Sequence, residues 1–374
     1  MRTRRSTPLG FQPPALGEEE VAAVADALRS GWLTTGPRAA LLEERLAAYL
    51  EADHVLALSS GTAAMHLALV ALGVGPGDEV ITSPITWPST ANVIAHTGAR
   101  PVFCDVREDD LNLDASLLPG LVTERTKAIL PVHLAGQPCD LDAIHALGLP
   151  VVEDAAHALE SRYRDRKLGA LSDATCFSLY ATKNLAAGEG GLVATNRDDL
   201  AERIRSMRLT RRGDGARYDQ LTWGFKANLS DVLAAIALVQ FERLDHHAAI
   251  RARQFAAYDE GLADLDGIAP LARDPRDAHA LHLYVVRIDR EAAGARRDEY
   301  QRALAEERIA TSIHFLPVHR LTWFRERYPD QPPLPVAERA GEEVLSLPLS
   351  PAHTEEDIAD AVDAVRRVHG RFTA

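Results

Sequence analysis

The chain has 374 residues, of which 46% are hydrophobic and 25% charged, and its formal net charge is −13 at pH 7. This length predicts two domains with a substantial buried core, and the acidic balance argues against a general binder of nucleic acid or of membrane surfaces. The three cysteines, Cys104, Cys139 and Cys176, do not have metal-ligand spacing, so we expect reduced thiols in a cytoplasmic protein that binds no metal.

Short apolar runs alternate with helical patterns along the first two thirds of the chain. An amphipathic helix is predicted after the acidic turn at 18–20, and a helix at 63–72 follows the first strand. Strands are predicted at 54–58, 79–83, 101–105, 128–132, 151–154, 174–180 and 192–195. This alternation predicts an α/β fold with a mainly parallel, seven-stranded sheet.

The pattern changes near residue 247, where we place the boundary between a large domain, 1–246, and a small domain, 247–374. Ser230 is the predicted cap of a long helix at 230–244, and helical periodicity continues over 251–265. Beyond it, strands at 281–288 and 310–314 and helices at 296–306 and 355–368 predict a smaller α+β unit.

Lysine is scarce in this sequence. Only four of the 41 basic residues are lysines, and the other 37 are arginines. Arginine stays protonated, whereas lysine can lose its proton and attack a carbonyl group. Lys183 follows the strand at 174–180 and precedes the glycine-rich stretch 188–191. It is therefore the candidate for a covalent bond to a carbonyl compound.

Polar groups at the ends of predicted strands suggest a site for a phosphorylated aromatic ligand. Gly61 and Thr62 lie between a strand and a helix, where backbone N–H groups bind phosphate, although Gly61 alone also fits a simple tight turn. Asp154 ends a buried strand, where a carboxylate suits a protonated pyridine nitrogen, and His157 follows three residues later. A capping aspartate and a core histidine are the alternative interpretation of this pair.

Two further residues fit the same ligand. The Ser178 hydroxyl lies at the end of the strand before Lys183 and is a second candidate for the phosphate. Trp87 precedes a proline and has a ring suited to stacking on an aromatic ligand, although an isolated tryptophan is more often part of a core.

The sequence resembles the DegT/DnrJ/StrS-type aminotransferases of nucleotide sugars. Six segments that look like family motifs occur in family order, at 30–36, 59–64, 131–136, 153–157, 183–191 and 224–231. Within the family, the segment Gly-Phe-Lys-Ala-Asn at 224–228 is similar to that of enzymes that aminate the sugar 4-position, such as UDP-4-amino-4-deoxy-L-arabinose aminotransferase. One departure is Glu160, where the family often has a small residue.

The resemblance implies pyridoxal 5′-phosphate (PLP) as cofactor and a PLP-dependent transferase fold of the aspartate aminotransferase type I. Lys183 would be linked to the cofactor, Asp154 would pair with the pyridinium nitrogen and His157 would lie beside the ring hydroxyl. Trp87 would stack on the ring. The phosphate would be held by Gly61, Thr62, Ala63 and Ser178, with Asn228 reaching across from the second subunit of a homodimer.

The implied reaction moves an amino group from glutamate to a keto group, expected at the 4-position, of a nucleotide-linked deoxysugar. Thr35, Lys226, His314, His319 and Arg320 are the predicted substrate residues. An arginine-rich tract at 203–217 could face a diphosphate or form a solvated helix face.

Several alternatives to this reaction stay open. They are a 3-keto sugar or keto-cyclitol substrate and a non-catalytic PLP-binding regulatory protein. A related dehydratase would have histidine in place of Lys183.

Overall fold

A computed structural model describes residues 4–209 and 223–374. Its strands are β1 (His54–Leu58), β2 (Glu79–Thr82), β3 (Arg100–Phe103), β4 (Thr126–Leu130), β5 (Val152–Asp154), β6 (Arg162–Tyr163), β7 (Arg166–Lys167), β8 (Ala174–Ser178), β9 (Gly191–Thr195), β10 (Ile268–Pro270), β11 (Tyr284–Ile288) and β12 (Val344–Leu347). The seven strands predicted in the first part of the chain are all present, with ends shifted by a few residues at most.

The helices connect and flank these strands. They are α1 (Glu18–Ser30), α2 (Pro37–Leu50), α3 (Gly61–Ala71), α4 (Ser89–His96), α5 (Leu141–His145), α6 (Asp198–Leu209), α7 (Asp231–Glu242), α8 (Leu244–Leu262), α9 (Arg297–Glu306), α10 (Thr322–Arg327), α11 (Pro335–Glu343) and α12 (Glu355–Thr373). Short 3₁₀ turns lie at Ala115–Gly120, Leu134–Gly136 and Val318–Arg320.

Seven strands form one mainly parallel sheet in the order β3-β2-β4-β5-β8-β9-β1. Strands β3, β2 and β4 are parallel neighbours, and β5 and β8 are parallel. Parallel bridges from Ile129 to Val151 and from Val132 to Asp154 join the two groups. Strand β9 runs antiparallel to β8 and to β1. The sheet matches the predicted strand number and its mainly parallel character.

Apolar side chains cover both faces of this sheet, as the continuous apolar strands predict. Along β1, Leu56 and Leu58 pack with α3 on one face. Val55 and Ala57 belong to the cluster on the opposite face, which also contains residues of α2 and α7. This alternation follows from the two-residue period of a strand. The start of α3 lies at the end of β1.

The C-terminal part contains a three-stranded antiparallel sheet in the order β10-β11-β12. The predicted cap is present at α7, where the Ser230 side chain accepts a hydrogen bond from the Leu233 N–H at 3.3 Å. The strand predicted at 310–314 is wrong. That segment makes only single bridges, from Ile309 to Leu9 and from Ser312 to Ser346.

The N-terminal segment lies on the C-terminal part of the chain. The Leu9 N–H donates to the Arg308 carbonyl, and Arg5 forms ion pairs with Asp357 and Asp360 at 2.7 and 2.8 Å. The boundary predicted at residue 247 falls within helix α8, and the division into 1–246 and 247–374 stays a prediction. Across residues 4–209 and 223–374, no helix has the length and apolarity needed to span a membrane.

We predict that Gly191→Ala destabilises the protein. An added Cβ would lie 2.2 Å from the Ser60 carbonyl carbon and 2.4 Å from the Gly61 nitrogen, so the backbone at the start of α3 would have to move. Overpacking of this kind costs about 1–3 kcal/mol, which urea unfolding would measure. Gly75→Ala is the matched control, since its Cβ meets no atom within 4 Å. Equal stability of the two variants would contradict the prediction.

Candidate active site

Asp154 lies at the carboxyl end of β5 and is 5% exposed. Its Oδ2 accepts a hydrogen bond from the Thr90 hydroxyl at 2.7 Å, and its Oδ1 accepts from the Ala156 N–H at 3.1 Å. Burial raises the pKa of this carboxyl, and the hydrogen bond from Thr90 partly offsets the rise. The two hydrogen bonds thus hold the Asp154 carboxylate in one orientation. A cationic ligand would compensate its buried negative charge.

Lys183 lies after β8, in a turn closed by the hydrogen bond from its N–H to the Tyr180 carbonyl at 2.8 Å. Burial lowers the pKa of the Lys183 amine to about 8, and the negative charge of Asp154 opposes this shift. A substantial fraction of neutral amine at neutral to mildly alkaline pH is what a nucleophilic lysine requires.

A cavity of about 550 Å³ lies at this end of the sheet. The predicted residues that line it are Gly61, Thr62, Trp87, Asp154, His157, Ser178, Lys183 and His314. The predicted residues outside this lining are Thr35, Ala63, Lys226, Asn228, His319 and Arg320. The structure therefore brings the predicted catalytic residues together and separates them from most of the predicted substrate residues.

The start of α3 borders the cavity beside the end of β8. Ser60 caps this helix by accepting a hydrogen bond from the Ala63 N–H at 3.0 Å, so the backbone N–H of Ala63 is directed at the cap. A Cβ on Gly61 would lie 3.2 Å from the Ser178 Cβ, so a larger residue would crowd this corner. The first N–H groups of a helix have no intrahelical acceptor and attract anions. The corner is therefore suited to a phosphate.

His157 is buried in a stack of rings. Its ring lies 4.6 Å from that of His282 and 6.0 Å from that of Phe315. Its Nδ1 accepts the Ala135 N–H at 3.3 Å, so the ring proton is on Nε2. Burial and the nearby Lys183 hold the pKa of His157 well below its usual range. It is a neutral hydrogen-bond donor.

Trp87 precedes α4 and is exposed at the cavity mouth, with 63% of its surface accessible. Its ring centroid lies 6.4 Å from that of Phe315, at an interplanar angle of 60°. An exposed tryptophan is not part of the core, so the core-packing alternative does not apply. Its ring is free to cover an aromatic ligand.

Thr35, Lys226 and Asn228 form a separate cluster. Asn228 accepts a hydrogen bond from Lys226 and donates one to the Thr35 hydroxyl, which itself donates to the Leu229 carbonyl at 2.6 Å. The three predicted residues are close to one another but do not line the cavity of the same chain. The contribution of Asn228 from a second subunit stays a prediction.

His314 is the one predicted substrate residue in the cavity lining. Its Nδ1 lies 2.8 Å from the Ser346 hydroxyl, and burial lowers its pKa to about 4. His319 and Arg320 lie instead against Glu338, at 3.4 Å each. The hydrogen bond of His319 and the ion pair of Arg320 hold both side chains at α11, outside the cavity lining.

The arginine-rich tract does not face the cavity where it is described. Arg203 donates to the Ala71 carbonyl at 2.8 Å, and the buried Arg208 binds Glu43 and the Ala57 carbonyl. The guanidinium groups of these two residues therefore bind other parts of the same chain. Arg211, Arg212 and Arg217 lie outside the described residues.

The sequence did not indicate several residues that border the site. Thr90 holds Asp154, Phe315 stacks on His157, and His282 and Gln12 line the cavity. The sequence gives one weak indication of the role of Thr90, since Thr90 lies on α4, shortly after Trp87. Phe315 directly follows His314, a predicted substrate residue, whereas Gln12 and His282 come from segments that lie far from the motifs along the chain and that carry no local pattern.

Comparison with known proteins identifies relatives over nearly the whole chain. Residues 14–366 match the model of the DegT/DnrJ/EryC1/StrS aminotransferase family. The chain is 43% identical to the spore coat polysaccharide biosynthesis protein SpsC of Bacillus subtilis, over 98% of this chain and 99% of that one.

Solved structures give the same result. The PLP form of the sugar aminotransferase Spr1654 from Streptococcus pneumoniae superimposes with a TM-score of 0.91 at 32% identity, covering 98% of this chain and all of that one. DesI, solved in the presence of its TDP-sugar product, gives a TM-score of 0.91 at 32% identity, covering 99% of this chain and 95% of that one. These matches confirm the predicted family, fold type I, PLP dependence and transaminase class.

We predict that an amine-selective acylating reagent labels Lys183 of the ligand-free protein with a midpoint near pH 8. The neutral amine is the reactive form, and burial lowers the pKa of Lys183 to about 8 from the ordinary value of 10.5. Mass spectrometry of the Lys183 peptide would follow labelling between pH 6 and 11, with Lys183→Arg identifying the signal. A labelling rate that still rises steeply at pH 10 would rule out the lowered pKa.

Proposed function

The chain belongs to the DegT/DnrJ/EryC1/StrS aminotransferase family, and we propose that it transfers an amino group from glutamate to the 4-keto group of a nucleotide-linked deoxysugar. The observation that carries this proposal is the buried Lys183, with its lowered pKa, in the same cavity as Asp154. A nucleophilic amine and a fixed carboxylate in one cavity are the groups that PLP chemistry requires.

The residues of the cavity fit PLP. The carboxylate of Asp154 would bind the protonated ring nitrogen, and the neutral His157 would donate from Nε2 to the ring oxygen. Trp87 would cover the ring. When bound, PLP supplies an electron sink that stabilises a carbanion next to the transferred nitrogen. A carboxylate that keeps the ring nitrogen protonated strengthens that property.

The phosphate of the cofactor would bind at the start of α3. Gly61 and Thr62 offer N–H groups of the first helical turn, and the Ser178 hydroxyl lies beside them. The Thr62 hydroxyl donates to Ser89 at 3.0 Å, which holds its oxygen at the edge of the cavity. Ala63 supplies the backbone link that keeps this turn capped.

Lys183 would also move the protons of the reaction. As the neutral amine it would take a proton from the α-carbon of the amino donor, and as the ammonium it would return one to the sugar carbon that receives nitrogen. A pKa of about 8 suits both directions, because each protonation state is accessible near neutral pH. Arginine could not do either step.

The nucleotide-sugar substrate is proposed from the relatives and from one segment of this chain. DesI was solved with a TDP-sugar product, and SpsC is a protein of polysaccharide biosynthesis. The 4-position is supported by Lys226 and Asn228, whose motif is similar to that of the 4-aminating enzymes.

A substrate panel tests this proposal. We expect the PLP-loaded protein, supplied with glutamate, to convert a nucleotide-linked 4-keto-6-deoxysugar to the amino sugar, identified by mass spectrometry and NMR. The panel includes UDP- and TDP-linked sugars, a 3-keto sugar and a keto-cyclitol, with alanine and glutamine as other donors. Lys183→Arg keeps the positive charge but should lose more than about 10⁴-fold in kcat. Amination of only the 3-keto sugar or the cyclitol would overturn the 4-keto assignment.

Subunit complementation tests whether two chains share each site. We predict that Lys183→Ala and Asn228→Ala homodimers are each strongly impaired, and that an equal mixture refolded together recovers about a quarter of the wild-type activity. Half of the random dimers are hybrids, and one of the two sites in each hybrid contains both native residues. If Asn228 serves the site of its own chain, no native site forms and the mixture stays impaired.

A further inference from the structure

A buried ion pair lies behind the turn that carries Lys183. The Arg251 guanidinium, on α8, donates to both oxygens of Glu160, at 2.6 Å for Oε1. Arg251 is 2% exposed, so both charges are largely removed from water. Glu160 is the residue that departs from the family pattern. Its carboxylate is fixed by this partner.

Asn184, the residue after Lys183, binds this carboxylate. Its side-chain nitrogen donates to Glu160 and to the Ala280 carbonyl at 2.8 Å. Both of these partners are acceptors, so the amide nitrogen must face them and the amide oxygen must face the other way. The orientation of the Asn184 amide is therefore determined by its contacts.

The amide oxygen of Asn184 faces a histidine that no motif indicated. It lies 2.9 Å from Nδ1 of His282. A carbonyl oxygen can only accept, so His282 must carry its proton on Nδ1. His282 lines the cavity. Because the other ring nitrogen, Nε2, then carries no proton, it can only accept a hydrogen bond.

The neighbouring His157 has the opposite tautomer. The Ala135 N–H fixes its Nδ1 as an acceptor, so its Nε2 is the donor. The centroids of the two rings lie 4.6 Å apart, with the ring planes tilted by 33°. The pair thus offers the cavity one donating and one accepting nitrogen, although both residues are neutral histidines.

We propose that His282 is a ligand-binding residue that accepts a hydrogen bond from the amino group of the incoming amino donor, and that Asn184 and Glu160 are the positioning residues that fix its tautomer. The inference rests on the proposed aminotransferase function for the identity of the ligand. The predicted tautomer of His282 does not depend on that function, because the tautomer is a property of the protein alone.

The tautomer can be measured without substrate. Two-bond ¹H–¹⁵N NMR spectra of the ¹⁵N-histidine-labelled protein distinguish the two neutral forms, and a His282→Gln variant identifies the signal. We expect the Nδ1–H form for His282 and the Nε2–H form for His157 at pH 8. An Nε2–H form for His282 would overturn the proposal, whatever the substrate of the enzyme proves to be.

Asn184→Ala tests the positioning role. Without the amide oxygen, His282 should shift to a majority of the Nε2–H form, and the glutamate concentration that gives half of the limiting rate should rise about tenfold, the effect of one hydrogen bond on binding. The exposed Glu260→Gln, also on α8, is the control and should change neither quantity. If the tautomer shifts but the half-saturating glutamate concentration does not rise, His282 does not bind the amino donor. If the tautomer of His282 is unchanged in Asn184→Ala, Asn184 does not position the His282 ring.

Discussion

The removal of the Lys183 amine from water is the constraint on which the site depends. An ammonium group in a buried position is unfavourable unless a negative charge compensates it. Asp154 provides part of that compensation, and the result is a pKa of about 8. The three histidines nearest to Lys183, at 157, 282 and 314, all have pKa values lowered by burial. Because they stay neutral, they do not add positive charge that would suppress the ammonium form further.

Much of the fold and the centre of the site could be predicted because their signals are local. The strands of the main sheet are continuous apolar segments, and the residues that end them, Asp154 and Ser178, are adjacent to those segments in sequence. Ligand positions at the carboxyl ends of parallel strands follow from the topology. Lys183 was indicated by the scarcity of lysine, since only four of the 41 basic residues are lysines, and by its position between a strand and a glycine-rich stretch. The segment at 310–314, wrongly predicted as a strand, is Ala-Thr-Ser-Ile-His and lacks a continuous apolar run, and it pairs with β12 at only one residue, Ser312 with Ser346.

The contacts that hold the residues around the centre of the site could not be predicted, because they join segments that are distant in sequence. Glu160 and Arg251 are 91 residues apart, and Asn184 and His282 are 98 residues apart. No periodicity or motif encodes such pairs. Likewise, Asn228 is placed by a bridge to Leu58 of β1 and by a hydrogen bond to Thr35, and both partners are distant from it in sequence.

The electrostatics of Asp154 and Lys183 link the ligand to the stability of the fold. Burial raises the pKa of the acid and lowers the pKa of the amine, so in both cases the ligand-free protein penalises the charged form. A ligand with a cationic ring nitrogen gives Asp154 a partner, and a carbonyl group that bonds to Lys183 removes the need to keep a free ammonium there. Both changes relieve a cost that folding alone imposes. Since a ligand that binds only the folded state stabilises it, the same burial that activates Lys183 also allows the cofactor to stabilise the folded protein.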